Sequence, residues 1–179
     1  MRRLALVLAL ALAPAALAGA GDVAPRLLVL QAADVPSGFR LDRADSGVRP
    51  NDREARNDPR LPALFRRWGR LTGYEREFDR GQQAISSRAD LFRRSDGAAD
   101  LLAWYTAELH RSSLGRLRRV PLAVGAGGWL YTASAPQPVA FAVWRQGRVF
   151  AGVATLGLAN DLARRLARAQ ERRIAAALR

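Results

Sequence analysis

The sequence predicts an α+β fold, an antiparallel sheet of five or six strands flanked by three or four helices. Apolar residues recur with helical spacing in three segments, near 61–71, 97–110 and 160–178. Between them lie runs rich in β-branched and aromatic residues, broken by glycine-containing turns at 81–83 and 146–147. The last two runs are apolar on both faces, so helices, a ligand or a partner must cover both sides.

Taken in chain order, residues 24–33 carry Leu27, Leu28 and Leu30 and read as a short helix, stopped by Asp34-Val35-Pro36-Ser37-Gly38. Residues 39–41 open the first strand. Residues 45–60 hold Gly47, Pro50 and Pro59 among charged neighbours and read as a long polar loop, the candidate mobile segment. Leu61, Leu64, Phe65, Trp68 and Leu71 form an apolar stripe on a helix ending at Gly69 or Gly73. Residues 74–80 and 84–92 form a hairpin about Gly81-Gln82-Gln83. Asp96 caps a helix whose buried stripe is Leu101, Leu102, Tyr105 and Leu109, with Gly115 as its stop.

Residues 128–134, 139–145 and 148–156 are the clearest strands. With Gln146-Gly147 as the turn, Arg145 pairs with Arg148, Trp144 with Val149 and Val143 with Phe150. Asn160 caps the last helix, which sets Leu162, Ala163, Leu166, Ala167, Ile174, Ala177 and Leu178 against a cationic side of Arg164, Arg165, Arg168, Arg172 and Arg179.

The first twenty residues read as an address. Met1-Arg2-Arg3 precedes the uncharged apolar stretch 4–13, then Pro14 and small residues up to Ala20, the order of a secretory signal cut after Ala18 or Ala20. The apolar stretch is shorter than the ~20 residues of a membrane span. The expected organisation is therefore a signal at 1–20 and one α+β domain at 21–179, secreted or extracytoplasmic.

Composition excludes several chemistries. There is no cysteine, hence no disulfide, thiolate nucleophile, cysteine-ligated zinc or iron-sulfur cluster. A single histidine, His110, excludes a multi-histidine metal cage within one chain. The formal net charge is +13, and every one of the 29 basic residues is arginine, which points to coding bias in a GC-rich genome more than to guanidinium recognition. Such a surface attracts polyanions, and the excess is spread unevenly, residues 49–70 carrying seven Arg against three acids and residues 160–179 six against two, yet no nucleic-acid fold signature accompanies it.

Candidate sites are few. Glu75, Glu77 and Asp79 alternate along one strand and share a face at about 7 Å spacing, the raw material of a carboxylate hydrolase or of a face paired with arginines. His110 reads as a residue at a helix C-terminus. Gly125-Ala126-Gly127-Gly128 precedes a strand and matches no phosphate-cradling pattern. No Gly-x-Ser-x-Gly motif positions a serine. Trp104, Trp129 and Trp144 are the candidate lining of an apolar pocket.

Ala33-Asp34-Val35-Pro36-Ser37-Gly38-Phe39, Gly73-Tyr74, the run 85–92 into Asp96-Gly97-Ala98, and Gln170-Glu171-Arg172-Arg173-Ile174 together resemble uncharacterised secreted proteins of high-GC actinobacteria. More distantly, the order of helices and strands is similar to PsbP/Mog1-like and mycobacterial extracytoplasmic sensor-like α+β domains. That resemblance implies a binding or accessory module and carries no catalytic residues with it.

The leading expectation is an exported non-catalytic module of the cell envelope or extracellular space. Arg164, Arg165, Arg168 and Arg172 would meet an anionic partner: an envelope polymer, a lipid surface or a small amphiphilic ligand. No cofactor or metal is called for. The alternatives are a hydrolase using Glu75, Glu77 or Asp79 and a peripheral membrane-surface protein using the last helix.

Overall fold

Two glycine-first turns organise the sheet. Gly81 (φ 62°) and Gly147 (φ 54°) each occupy the first of two turn residues, where a left-handed backbone lets the strands on either side pair directly. The first turn joins β2 (Arg70–Arg80) to β3 (Gln83–Phe92), and the second joins β6 (Val139–Gln146) to β7 (Val149–Leu156). Gly147 at that position moves the turn one residue along from the sequence expectation. Gln146 pairs with Val149, Arg145 with Phe150 and Trp144 with Ala151. The shift preserves the parity of the pairing, so each side chain keeps the face expected of it.

The computed structural model describes residues 23–55, 58–111, 117–134 and 136–179; the secretory signal expected at 1–20 lies outside them. The remaining strands are β1 (Arg40–Arg49), β4 (Arg118–Pro121) and β5 (Ala126–Ala133). Every pairing is antiparallel, and the order across the sheet is β1-β2-β3-β7-β6-β5-β4.

This corrects the expected five or six strands to seven. The additional strand, β4, is an edge segment of sequence Arg-Arg-Val-Pro, which has one apolar residue to bury and so shows no alternation. The polar stretch beginning at residue 45 is also more ordered than expected. Residues 45–49 complete β1, whose register shifts between Asp42 and Gly47, and α1 (Asn51–Ala55) follows.

Among the described residues the α-helices are α1, α2 (Leu61–Trp68), α3 (Ser95–Arg111) and α4 (Asn160–Ala177). The helix expected at 24–33 is instead two 3-10 turns, Pro25–Leu27 and Ala32–Asp34, with Leu28, Val29 and Leu30 buried between them. Asn160 does not cap α4. The last non-helical residue is Ala159, and the Asn160 Oδ1 atom is buried without a partner among the described residues. No helix among the described residues is long and apolar enough to cross a membrane.

One face of the sheet is sealed by α4 and the 23–39 segment. Leu166, Ala167 and Ile174 pack onto Ala142, Trp144, Ala151 and Val153 in one apolar cluster. A polar pin crosses it: Leu30 N–H donates to Ser87 Oγ (2.9 Å), Ser87 Oγ donates to Gln170 Oε1 (2.9 Å), and Gln170 Nε2 donates to the Arg88 carbonyl (2.8 Å). Each partner is buried, and the chain of bonds removes the cost of burying them.

The opposite face carries α2 and α3, which bury Phe65, Phe92, Leu101 and Phe150. Helix α3 passes so close to the end of α2 that a Cβ on Gly97 would collide with the Trp68 carbonyl.

Candidate functional site

Helix α3 starts immediately after β3 and runs across the sheet until His110 meets the Tyr131 ring of β5, centroids 5.7 Å apart. It covers the half of its face nearest the Phe92 end of β3. The half nearest the Gly81 turn is open among the described residues: Asp79 and Leu156 are exposed there, and Glu77, Ser86, Phe141 and Ala154 are only half-buried.

The floor of this open half is a single cross-strand row. Asp42 pairs with Glu77, Glu77 with Ser86, Ser86 with Ala154, Ala154 with Phe141, and Phe141 with Tyr131. Four inter-strand steps of about 4.8 Å carry the row about 19 Å from Asp42 to Phe141. Along it the side chains change from carboxylate through hydroxyl and methyl to aromatic.

Three hollows lie along this row. The first, about 250 Å³, is bordered by Asp42, Asp45, Arg49, Glu77 and Asp79. The second, about 210 Å³, is bordered by Glu75, Ser86, Arg88, Tyr105, Phe141 and Gly152. The third, about 160 Å³, is mostly apolar and shares Phe141 with the second; Leu117, Ala133, Pro136, Gln137, Val139 and Leu156 complete it. The small residues Ser86, Gly152 and Ala154 make the concavity. A Cβ at Gly152 would find its nearest neighbours at 3.6 Å, so a larger side chain fits there and would fill the groove.

The two carboxylates at the centre of β2 differ. Glu75 is ion-paired to Arg49 (2.7 Å) and accepts from Ser86 Oγ (2.9 Å). Glu77 has no ion pair among the described residues, and burial, opposed by hydrogen bonding to Ser86 and reinforced by the charge of Glu75, pushes its carboxyl up to about 7. Asp42, Asp45 and Asp79 also have no basic partner among the described residues; Asp42 Oδ1 accepts from the backbone N–H of Ala44 (2.8 Å) and of Asp45 (3.3 Å). A chain of formal charge +13 thus places four carboxylates without counter-ions at one end of one groove.

Behind the groove a buried ion cluster anchors the floor. Arg70 and Asp90, both fully buried, are paired; Arg88 bridges Asp90 (2.7 Å) and Glu54 of α1 (2.7 Å); and Arg70 Nη1 donates to Asn51 Oδ1 (2.5 Å). Burial raises the Asp90 carboxyl, but Arg88 and Arg70 outweigh it and hold the group below the ordinary range. Glycine is required at position 73, where a Cβ would collide with both Asp90 Oδ1 and Arg70 Nη2.

Of the residues singled out from sequence, Glu75, Glu77 and Asp79 do share one face, and it is the face of the groove. Their partners across the row, Asp42 and Phe141, were not singled out, because alternation within one strand says nothing about which strand lies beside it. No group of acidic or histidine residues suited to a metal ion occurs among the described residues. His110 is exposed at the end of α3, its Nε2 3.2 Å from Arg119 Nη1. Gly125 forms the turn into β5, and its N–H donates to Glu171 of α4 (2.6 Å).

The three tryptophans do not surround one cavity. Trp129 pairs with Val143, which places it on the α3 side, and the adjacent Trp144 therefore points to the α4 side, where it is fully buried. Trp104 lies on α3 against Trp68, centroids 6.4 Å apart.

On α4, Arg165, Arg168 and Arg172 are exposed and Arg164 is half-exposed. Arg165 pairs with Asp161 (2.6 Å), while Arg164, Arg168 and Arg172 have no acidic partner among the described residues. This basic side lies across the sheet from the groove.

The sequence matches no protein-family model and no curated protein. Among solved structures the chain is similar to the extracellular domain of PknH from Mycobacterium tuberculosis, with a TM-score of 0.56 at 8% identity, over 82% of this chain and 94% of that one. That likeness is one of fold: a helix-flanked α+β domain that is extracellular in the PknH case.

Proposed function

We propose that this chain is an extracytoplasmic, non-catalytic binding module whose ligand lies in the groove left open beside α3. The observation that carries the reading is the cross-strand row from Asp42 to Phe141, where the sheet is left uncovered although α4 and the 23–39 segment seal β3, β7 and β6 on the other face. Two further features support it: the order of charged, apolar and small residues at 1–20 suits export, and the fold is shared with the extracellular domain of PknH.

The arginine side of α4 supports a second contact. Arg164, Arg168 and Arg172 have no acidic partner among the described residues and face away from the groove, which suits them to an anionic envelope surface, lipid or polymer. The module would then lie on such a surface with the groove facing outward.

The test of the groove is Gly152→Leu, which fills it from its floor. Mass spectrometry of small molecules retained by the protein purified from an exporting host should show a ligand on the parent chain and none on the variant. An identical complement on both proteins would place the ligand elsewhere.

A further inference from the structure

The polarity of the groove specifies the chemistry of its occupant. One end holds Asp42, Asp45, Glu77 and Asp79 without counter-ions among the described residues, in a chain whose net charge is otherwise strongly positive. The other end is apolar, closed by Leu117, Pro136, Val139 and Leu156. Between them Ser86, Gly152 and Ala154 offer no bulk, so a linear molecule can lie along the row. An anionic head would meet the ionised Asp42, Asp45 and Asp79, joined by Glu77 as pH rises through about 7, and a neutral head would leave those charges uncompensated. A head group without a tail would leave the apolar end empty.

We infer that the groove takes a cationic amphiphile, a quaternary or primary ammonium carried on a linear hydrocarbon chain, with the ammonium among Asp42, Glu77 and Asp79 and the chain running past Ala154 and Phe141 to Leu156. The inference rests on the groove being the ligand site and adds the class of ligand. Three basic side chains lie near the carboxylate end: Arg49 is paired with Glu75, Arg88 with Asp90 and Glu54, and Arg40, the cross-strand neighbour of Asp79, is the cation set against the four carboxyl groups Asp42, Asp45, Glu77 and Asp79. The apolar end is bordered by uncharged residues, so charge and hydrophobicity separate along one axis.

Titration calorimetry on the purified chain, below micelle-forming concentrations, tests this with four probes: dodecyltrimethylammonium, the neutral dodecyl maltoside, dodecyl sulfate and tetramethylammonium. The cationic amphiphile should bind with one-to-one stoichiometry, at least about tenfold tighter than the neutral one. Tetramethylammonium, lacking the tail, should bind at least about a hundredfold more weakly. The double variant Glu77→Gln, Asp79→Asn should lose about tenfold in affinity for the cationic probe and leave the neutral probe unchanged, and Gly152→Leu should abolish both. Gly152→Leu comes against Val143 of the core on the α3 side, and circular dichroism checks that each variant is folded. Equal or tighter Gly152-dependent binding of the neutral or sulfate probe would overturn the ligand class while leaving the groove as the site. If Gly152→Leu leaves every probe's binding unchanged, the groove reading fails and this inference fails with it.

Discussion

Two neighbouring rows of the same strands face opposite ways and meet different fates. The row Arg76–Ser87–Val153–Ala142–Leu130 points toward α4, and from Ser87 onward each member is no more than 2% exposed. One residue along, the row Glu77–Ser86–Ala154–Phe141 points the other way and is only half-buried. The strands and pairings are shared; what differs is the helix above. An 18-residue helix lies along the closed face, backed by the 23–39 segment, whereas α3 crosses the other face toward one end and leaves the rest open. Stability resides in the first arrangement, and the proposed binding groove lies on the second.

The largest expected effect breaks the ion cluster that anchors the open face. Asp90→Ala leaves Arg70 buried without an acidic partner and Arg88 with Glu54 alone, and should cost about 3–5 kcal/mol in denaturant unfolding. The linkage adds a sign. Because the Asp90 carboxyl is held below its ordinary value, its contribution is present at neutral pH and is lost as pH falls below the ordinary carboxylate range, so acid should weaken the parent chain more than an Asp90→Asn variant.

Matched truncations on the two faces come next. Ile174→Ala, at a fully buried site, should cost about 2–5 kcal/mol, whereas Leu156→Ala, 38% exposed in the groove, should cost under about 1 kcal/mol. Equal losses in chemical denaturation would mean the open face is not open. Gln170→Ala, which unpins Ser87 and the Arg88 carbonyl, should fall between them at about 1–3 kcal/mol.

The smallest effect is that of Glu77. Its carboxyl is raised to about 7, so the native state holds a proton that the unfolded chain has already released, and stability should fall as pH rises from the ordinary carboxylate range through 7. Burial and the neighbouring Glu75 raise the group, and the Ser86 hydroxyl and Arg49 oppose them. Glu77→Gln should flatten the fall in a pH series of thermal melts, and an unchanged slope would assign it to another group.

How far the sequence foretells this molecule depends on whether the signal is local. Helices α2, α3 and α4 are legible because Leu61/Phe65, Leu101/Tyr105 and Leu166/Ile174 repeat at helical spacing within one segment. Strand β4 is not, because Arg118–Pro121 buries too little to alternate. The residues near 25–34 contain the leucines of a helix but bury them as a strap on the sheet, a tertiary choice. The same divide runs through the site. The alternation of Glu75, Glu77 and Asp79 predicts a shared face, yet only the register across strands brings Asp42 to one side of Glu77 and Phe141 onto the same row. Trp144 was grouped with Trp129 for want of that register, and Gly73, which reads as a helix stop, is required by the ion cluster above it.

The most direct test is a backbone amide chemical-shift map of the chain titrated with dodecyltrimethylammonium. The largest changes should fall in residues 75–79, 84–88, 139–141 and 152–156, tracing the row from carboxylate to aromatic end, while residues 163–174 of α4 stay unshifted. Shifts concentrated on the α4 side, or spread evenly over both faces, would contradict a ligand site on the uncovered half of the sheet.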